Sequence, residues 1–358
     1  MTPETRPFDS KMPARILVIK LRHHGDMLLI TPVIQTLRQR YPDAKIDVLL
    51  YEETRDMLAA NTDIHHIYGI DRKWKKQGQR HLIAMEWGLL RTLRKQHYDL
   101  VLNLADQWRS AIVTRFTGAP QRIGFDFPKR RHPIWRFCHT VLASTQAHNS
   151  LHTVQQNLSI LAPLGIEVQN APAKMGYSEA DWQTCKALLP EGLTGGYIVV
   201  QPTSRWFFKC WREDRMSAVI NALSADGYTV VLTSGPDAKE KQMVDTIIAG
   251  CPDARLVSLA GKLTLRQLGA LIDHARLFIG VDSVPMHMAA ALNTPLVALF
   301  GPSKLTFWRP WQAQGEVIWA GDYGPLPDPD AIDTRTDERY LDLIPEEEVI
   351  AAARRVLA

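Results

Sequence analysis

Hydrophobic positions along the chain fall into short unbroken runs, separated by longer stretches with helical spacing. Residues 15–20 (RILVIK) read as a buried strand, followed by a polar loop and a helical pattern over 27–41. Strand patterns follow at 46–50, 67–70 and 99–104 (DLVLNL), with a helix at 82–96. A second series opens after Gly195 and Gly196. It predicts strands at 197–201, 228–233, 276–281 and 295–300, and helices at 213–225, 239–248, 264–274 and 284–292. Short apolar runs alternating with helices indicate βαβ units and parallel sheets. Two separated series predict two Rossmann-like halves of α/β class. The turn-rich stretch 165–179 marks their boundary. The expected domains are 1–172, 173–340 and a C-terminal helix within 341–358. That helix, at 344–357, has Pro345 and three glutamates in its first turn and Arg354 and Arg355 near its end, which suits the helix dipole.

Composition narrows the class. Of 358 residues, 46% are hydrophobic and 22% charged, as in ordinary globular proteins and unlike disordered or collagenous chains. No apolar run approaches the roughly 18 residues that span a bilayer. The first run, at 16–19, is too short for a signal peptide, so a cytoplasmic location is expected. Cys138, Cys185, Cys210 and Cys251 show neither a C-x-x-C pair nor metal-ligand spacing, which suits reduced thiols. The net charge of +4 divides unevenly. Residues 1–180 carry 25 Lys/Arg against 16 Asp/Glu, and residues 181–358 carry 17 against 22. The first half is thus +9 and the second −5, so an anionic partner is expected on the first.

Three strings could carry chemistry. KLRHHGD, residues 20–26, ends the first strand and opens a helix, the place where open parallel sheets bind ligands. It is neither a dinucleotide fingerprint nor a Walker loop. Gly25 permits close backbone approach. Asp26 suits either a helix cap or a general base, and spacing alone favours the cap. The second string, QPTSRWFFKCW at 201–211, offers Thr203, Ser204, Arg205 and Lys209 to a phosphate ester; a solvated loop lidded by aromatics fits it equally well. In the third, 280–303, Asp282 and Ser283 end a strand and open a helix whose first amides favour phosphate. There a cap is again the plain alternative, and His287 reads by default as a core histidine. Basic clusters at 72–76 (RKWKK) and 129–132 (KRRH) have no nucleic-acid motif beside them; they suit either a solvated face or an anionic acceptor at a membrane surface. Asp328-Pro-Asp330 reads as linker, and no metal site is expected.

Together these strings resemble the lipopolysaccharide heptosyltransferases, glycosyltransferase family 9. The resemblance runs from Arg15 to the C-terminal helix. It rests on K-x-x-x-x-G-D (Lys20, Gly25, Asp26), on T-S…K-x-W (Thr203, Ser204, Lys209, Trp211), on the D-[ST]-x-x-x-H…A-L-F-G-P-[ST] string from Asp282 to Ser303, and on the H-x-V helix beginning at His152. The strings LRHHGDMLL and FDFPKRRHP are most like the branch that adds the third, side-branch heptose. Two positions depart from the pattern: Val284 stands where glycine is usual, and His23-His24 where small residues are common.

The resemblance implies a GT-B type fold, two Rossmann-like domains facing across a cleft, with the last helix crossing back to the N-terminal domain. It implies ADP-L-glycero-D-manno-heptose as donor and the lipopolysaccharide inner core as acceptor, transferred with inversion and no cofactor. Asp26 would be the general base, and Lys209 would stabilise the leaving diphosphate. Gly25, Thr203, Ser204, Glu240, Asp282, Ser283 and His287 would complete the donor site. His24, Lys129, Arg130 and Arg131 would hold the acceptor. Peripheral contact with the anionic inner membrane is expected, and nucleic acid is not. Other readings are another core heptosyltransferase, a nucleotide-sugar epimerase of the same architecture, or a non-catalytic nucleotide-sugar binder. A dehydrogenase is disfavoured, since neither half has the glycine fingerprint.

Overall fold

The computed structural model describes residues 12–168 and 170–358, so the charged, proline-containing start of the chain lies outside the described residues. The chain divides into two compact units, 1–171 and 172–358.

The first unit holds β1 (Arg15–Ile19), β2 (Lys45–Tyr51), β3 (His66–Ile70), β4 (Leu100–Asn103), β5 (Gln121–Phe125) and β6 (Val141–Ala143). They form one parallel sheet in the order β3-β2-β1-β4-β5-β6. The central strands are apolar without alternation because helices cover both faces; Ile16, Leu17, Val18 and Ile19 are fully buried.

The second unit repeats the plan with β7 (Ile198–Gln201), β8 (Val230–Leu232), β9 (Leu256–Ser258), β10 (Leu277–Val281), β11 (Leu296–Phe300) and β12 (Gly315–Trp319). Its order is β12-β11-β10-β7-β8-β9, again all parallel. In each sheet the strand order reverses between the first strand and its fourth. The crevice beyond the carboxyl ends of those two strands is where such sheets bind ligands.

The edge strands β9 and β12 stand outside the pattern read from sequence, and three further features depart from expectation. The helix expected over 27–41 is two helices, His24–Leu28 and Thr31–Arg40. Pro32 has no N–H to give the Leu28 carbonyl, and the Thr31 hydroxyl takes that carbonyl instead, at 2.6 Å. Between β4 and the boundary, the helices Trp108–Thr117 and Pro133–Cys138 and the strands β5 and β6 add to the pattern read from sequence.

The third departure is the last helix, Glu346–Leu357. It was expected to pack on the N-terminal domain, and instead it is built into the second unit. Val349, Ala352, Ala353 and Leu357 join the core formed by β7, β8, β10 and β11. Its polar face is tied to the same unit by Arg354 with Asp226 and Arg355 with Glu316, both two-pronged. A narrow apolar stripe serves one surface, and here the second sheet takes it.

Candidate functional site

In the first unit the loop after β1 carries the proposed base. Asp26 lies in the first turn of His24–Leu28, and its carboxylate accepts from the His23 amide at 3.3 Å. Asp26 is thus not the N-cap that spacing favoured: the helix begins earlier, His23 holds that place, and Asp26 reaches back to it from the third helical position with its carboxylate partly exposed. Gly25 is the helix's second residue. The His24 Nε2 contacts the Glu53 carbonyl at 2.8 Å. Burial holds that ring below the ordinary histidine value, the Glu53 carbonyl opposing it. A neutral ring must donate to a carbonyl, so Nε2 carries the proton.

Behind the loop Lys20 is buried. Its ammonium donates to Asn157 Oδ1 at 3.0 Å and to the Leu104 carbonyl at 3.5 Å. Burial lowers its pKa, with the neighbouring Asp26 charge opposing the shift. Asn157 in turn donates to the Leu29 carbonyl at 3.0 Å. The helix Thr153–Leu158, capped by His152, is thereby stitched to the β1 loop. Lys20 thus fixes the loop that presents Asp26.

At the end of β4 stands Asp106, which sequence reading passed over. Arg22 reaches it at 3.2 Å, and Lys129 pairs with the same oxygen. Burial works to raise its pKa, but Lys129 and Arg22 outweigh this and hold it below the ordinary carboxylate value. Arg130 donates to the Asp106 carbonyl at 2.5 Å and lies over the Trp108 ring, 5.2 Å from its centroid. Lys129 and Arg130 are thus gathered at the switch point of the first sheet. Arg131, on the same loop, is exposed. The available signal for Asp106 was its position, a carboxylate just past the strand adjoining β1.

In the second unit the loop after β7 builds a polar relay. Thr233 Oγ1 donates to Gln201 Oε1 at 2.6 Å, and Gln201 Nε2 donates to Thr203 Oγ1 at 2.9 Å. Thr203 then donates to Glu240 Oε2 at 2.6 Å, an oxygen that also accepts from the Gly235 amide at 2.9 Å. A Cβ at Gly235 would lie 2.9 Å from Glu240 Oε1, so a side chain there would push the carboxylate off this amide. Thr203 and Glu240, 37 residues apart in sequence, therefore share one site. Ser204 is buried beside them, its amide on the Cys210 sulfur at 3.3 Å, which closes the loop on itself.

Lys209 forms a 2.6 Å ion pair with Asp282 at the end of β10, their side chains only 14% and 6% exposed. The ammonium also lies 5.1 Å from the Trp206 ring centroid. A pair this enclosed holds both side chains in one fixed orientation. Ser283 occupies the N-cap of the helix Val284–Ala291, yet its hydroxyl turns back to the Val281 carbonyl at 3.2 Å and does not cap. The first-turn amides thus have no side-chain cap, with Pro285 among the first two helical residues. Val284 is helical, so it needs no glycine-like backbone. His287 is buried one turn further in. The Asp328–Asp330 stretch is a short turn, with Asp330 paired to Lys304 at 2.6 Å. Among the described residues no group of three His, Cys, Asp or Glu side chains is arranged to hold a metal ion.

Comparison with known proteins bears on the family and the fold. The chain is 47% identical over 338 residues to lipopolysaccharide heptosyltransferase 3 of Escherichia coli, covering 94% of this chain and 97% of the relative. A crystal structure of a glycosyltransferase family 9 protein from Veillonella parvula superposes with a TM-score of 0.81 at 25% identity, covering 96% and 97% of the two chains. The E. coli heptosyltransferase WaaC with ADP shares the fold at a TM-score of 0.74 and 19% identity, covering 96% and 99%. Residues 87–336 match the model of glycosyltransferase family 9 (heptosyltransferase). With that match spanning most of its length, the chain belongs to glycosyltransferase family 9.

Proposed function

We propose that the protein is a lipopolysaccharide core heptosyltransferase that moves L-glycero-D-manno-heptose from ADP-heptose to a heptose of the inner core. The observation that carries this reading is the enclosed Lys209–Asp282 pair beside a helix N-terminus without a side-chain cap, at the switch point of the second sheet. The E. coli heptosyltransferase 3, so similar over nearly its full length, supports the third, side-branch heptose as the one added.

In this reading the acceptor hydroxyl oxygen attacks the anomeric carbon of the bound donor. The bond from that carbon to the β-phosphate oxygen breaks, the configuration inverts, and ADP departs with the bonding electrons. Asp26 takes the hydroxyl proton. Its partial exposure leaves it within reach of solvent and ligand, and Lys20 holds its loop in place. Lys209 and the amides following Ser283 meet the negative charge that grows on the diphosphate. Ser204 donates to a phosphate oxygen, Thr203 holds Glu240 in place at the donor, Glu240 takes the ribose hydroxyls, and Asp282 and His287 orient the heptose. Gly25 lets the donor approach the loop backbone. Lys129, Arg130 and Arg131, with His24, bind acidic groups of the acceptor core. The protein itself supplies the positive charge, so no metal or cofactor is needed.

Among the described residues no helix is long and apolar enough to cross a membrane. Contact with the acceptor is assigned to peripheral association at the cytoplasmic face of the inner membrane. The test is direct: purified protein, ADP-heptose and heptose-deficient core are incubated, and product mass and anomeric configuration are read. Donor consumption without acceptor would replace this reading by an epimerase. Donor binding by calorimetry with no turnover on any core acceptor would replace it by a binder.

A further inference from the structure

On the first unit, a groove of about 800 Å³ opens between the helices Gln79–Arg94, Trp108–Thr117 and Pro133–Cys138, away from the carboxyl ends of the strands that build the site. Its apolar members are bulky and open to solvent. Phe137 is 66% exposed, Trp87 50% and Phe116 44%. Trp87 and Phe116 meet edge to face at 6.2 Å. The exposed apolar surface extends beyond the groove, because Ile83 lies one turn from Trp87, Ile112 one turn from Phe116, and Ile134 one turn from Phe137. Folding leaves such large side chains in water only at a cost, and contiguous patches of them mark interaction surfaces.

The rim decides the partner. Arg91, Arg94, Lys95 and Arg115 line the same groove. Among the described residues no acidic side chain forms an ion pair with any of the four. The three arginines lean on rings and backbone: Arg91 over Trp87 at 5.9 Å, Arg115 over Phe137 at 4.9 Å, and Arg94 on the Phe116 carbonyl at 3.5 Å. A second copy docking through this face would set these cations against their own equivalents across a two-fold axis. Aromatic side chains flanked by Arg and Lys suit instead the interface of an anionic bilayer. There rings sit at headgroup depth and the long basic side chains reach up to phosphates.

The geometry points to this three-helix face as the surface that seats the protein on an anionic phospholipid membrane, with Trp87, Phe116 and Phe137 entering the interface. The inference goes beyond the transfer chemistry and does not depend on which sugar is moved. It also moves the membrane contact from the basic loops at 72–76 and 129–132 to a face that combines charge with apolar area.

The experiment is co-sedimentation of the full chain with vesicles of phosphatidylethanolamine and phosphatidylglycerol, and with vesicles of phosphatidylcholine alone. Sedimentation velocity and transfer to a deacylated, water-soluble core acceptor are run in parallel. Wild-type protein is expected to bind the anionic vesicles and to lose binding as salt rises. The pair Trp87→Ser with Phe137→Ser should weaken binding by about tenfold or more. The pair Arg91→Gln with Lys95→Gln should weaken it on anionic vesicles and flatten the salt dependence. All four side chains are surface groups, so folding and turnover of the soluble acceptor should be unchanged in both variants. Absence of wild-type binding would overturn the inference. So would unchanged binding in both variants together with loss in Lys75→Gln with Lys76→Gln, which would return the contact to the basic loop. A wild-type dimer that the aromatic variant dissociates would give the face to a second copy. Failure of the soluble transfer assay for wild-type protein would refute the proposed function and leave the vesicle result standing.

Discussion

The two units place their candidate chemistry at the same topological address and fill it in opposite ways. In the first, three cations converge on Asp106 past the end of β4, and two of them come from a loop that is largely exposed. In the second, one lysine and one aspartate form an enclosed pair beside a closed polar relay. An exposed multi-cation cluster suits an extended, variable, acidic partner, since each charge can adjust. An enclosed pair with fixed helix amides suits a small ligand whose charge must be met at one point. The +9 and −5 halves of the sequence are the bulk trace of this division. A half with net negative charge can still bind a diphosphate, because a few aimed dipoles and one desolvated cation outweigh distant screened charges.

The comparison breaks first at Asp26. Asp26→Asn removes the proposed proton acceptor and should lower kcat by about 10²–10⁴-fold with little change in the KM for donor. Near wild-type turnover in that variant, with a large loss in Asp106→Asn, would move the base to the end of β4. Next comes Lys209→Ala, expected to cost about 2–4 kcal/mol of transition-state stabilisation and to act on the donor side. Asp282→Asn should loosen Lys209 and raise the KM for donor more than it lowers kcat. Equal effects on acceptor KM would erase the distinction between the units.

A pH titration of stability separates the units in another way. Burial pushes the His139 imidazole down to about 4. Its Nδ1 faces the Trp135 carbonyl at 2.7 Å, so Nε2 must accept from Asn103 Nδ2, at 3.1 Å. With a folded pKa below the unfolded one, the unfolded chain binds the proton first. Stability is therefore complete above about 6.5 and falls as pH drops toward 4, by about 3 kcal/mol in all. Thermal unfolding followed across that range should show the loss in the wild type and a flatter profile in His139→Gln. A profile unchanged by the substitution would refute the assignment. Smaller still, Thr203→Val interrupts the relay to Glu240 and should cost about 1–3 kcal/mol in stability or donor binding, read by calorimetry with ADP. At the small end, a chelator should leave turnover unchanged, as should Asp328→Asn with Asp330→Asn.

Much of the scaffold was legible in the chain because central parallel strands are covered on both faces. Such strands must be continuously apolar, so β1, β4, β7, β10 and β11 announce themselves. The edge strands β6 and β9 are only three residues long and β12 is half-covered with mixed residues, so none stands out from loop. The region from 105 to 143 was obscured for a related reason. Its helices expose Ile112, Phe116, Ile134 and Phe137, so hydrophobicity there does not sort inside from outside. The same four residues that blur the pattern belong to the face assigned to the membrane. At the candidate site, motif spacing singled out Asp26, Lys209 and Asp282, each in the segment that follows a strand. Asp106 has no motif, and its importance follows only from β4 lying beside β1.

By itself, the sequence determined two parallel α/β units, their order along the chain, and the loops at the ends of their first strands. Those depend on local periodicity and turn chemistry, which each segment carries in its own residues. The tertiary structure alone decided which distant groups meet: Lys20 with Asn157, Arg22 and Lys129 with Asp106, Thr203 with Glu240, and Lys209 with Asp282. It also decided that the last helix gives its apolar stripe to the second sheet. Pairings across tens of residues depend on strand order and on burial shared between segments, and no single segment encodes either one.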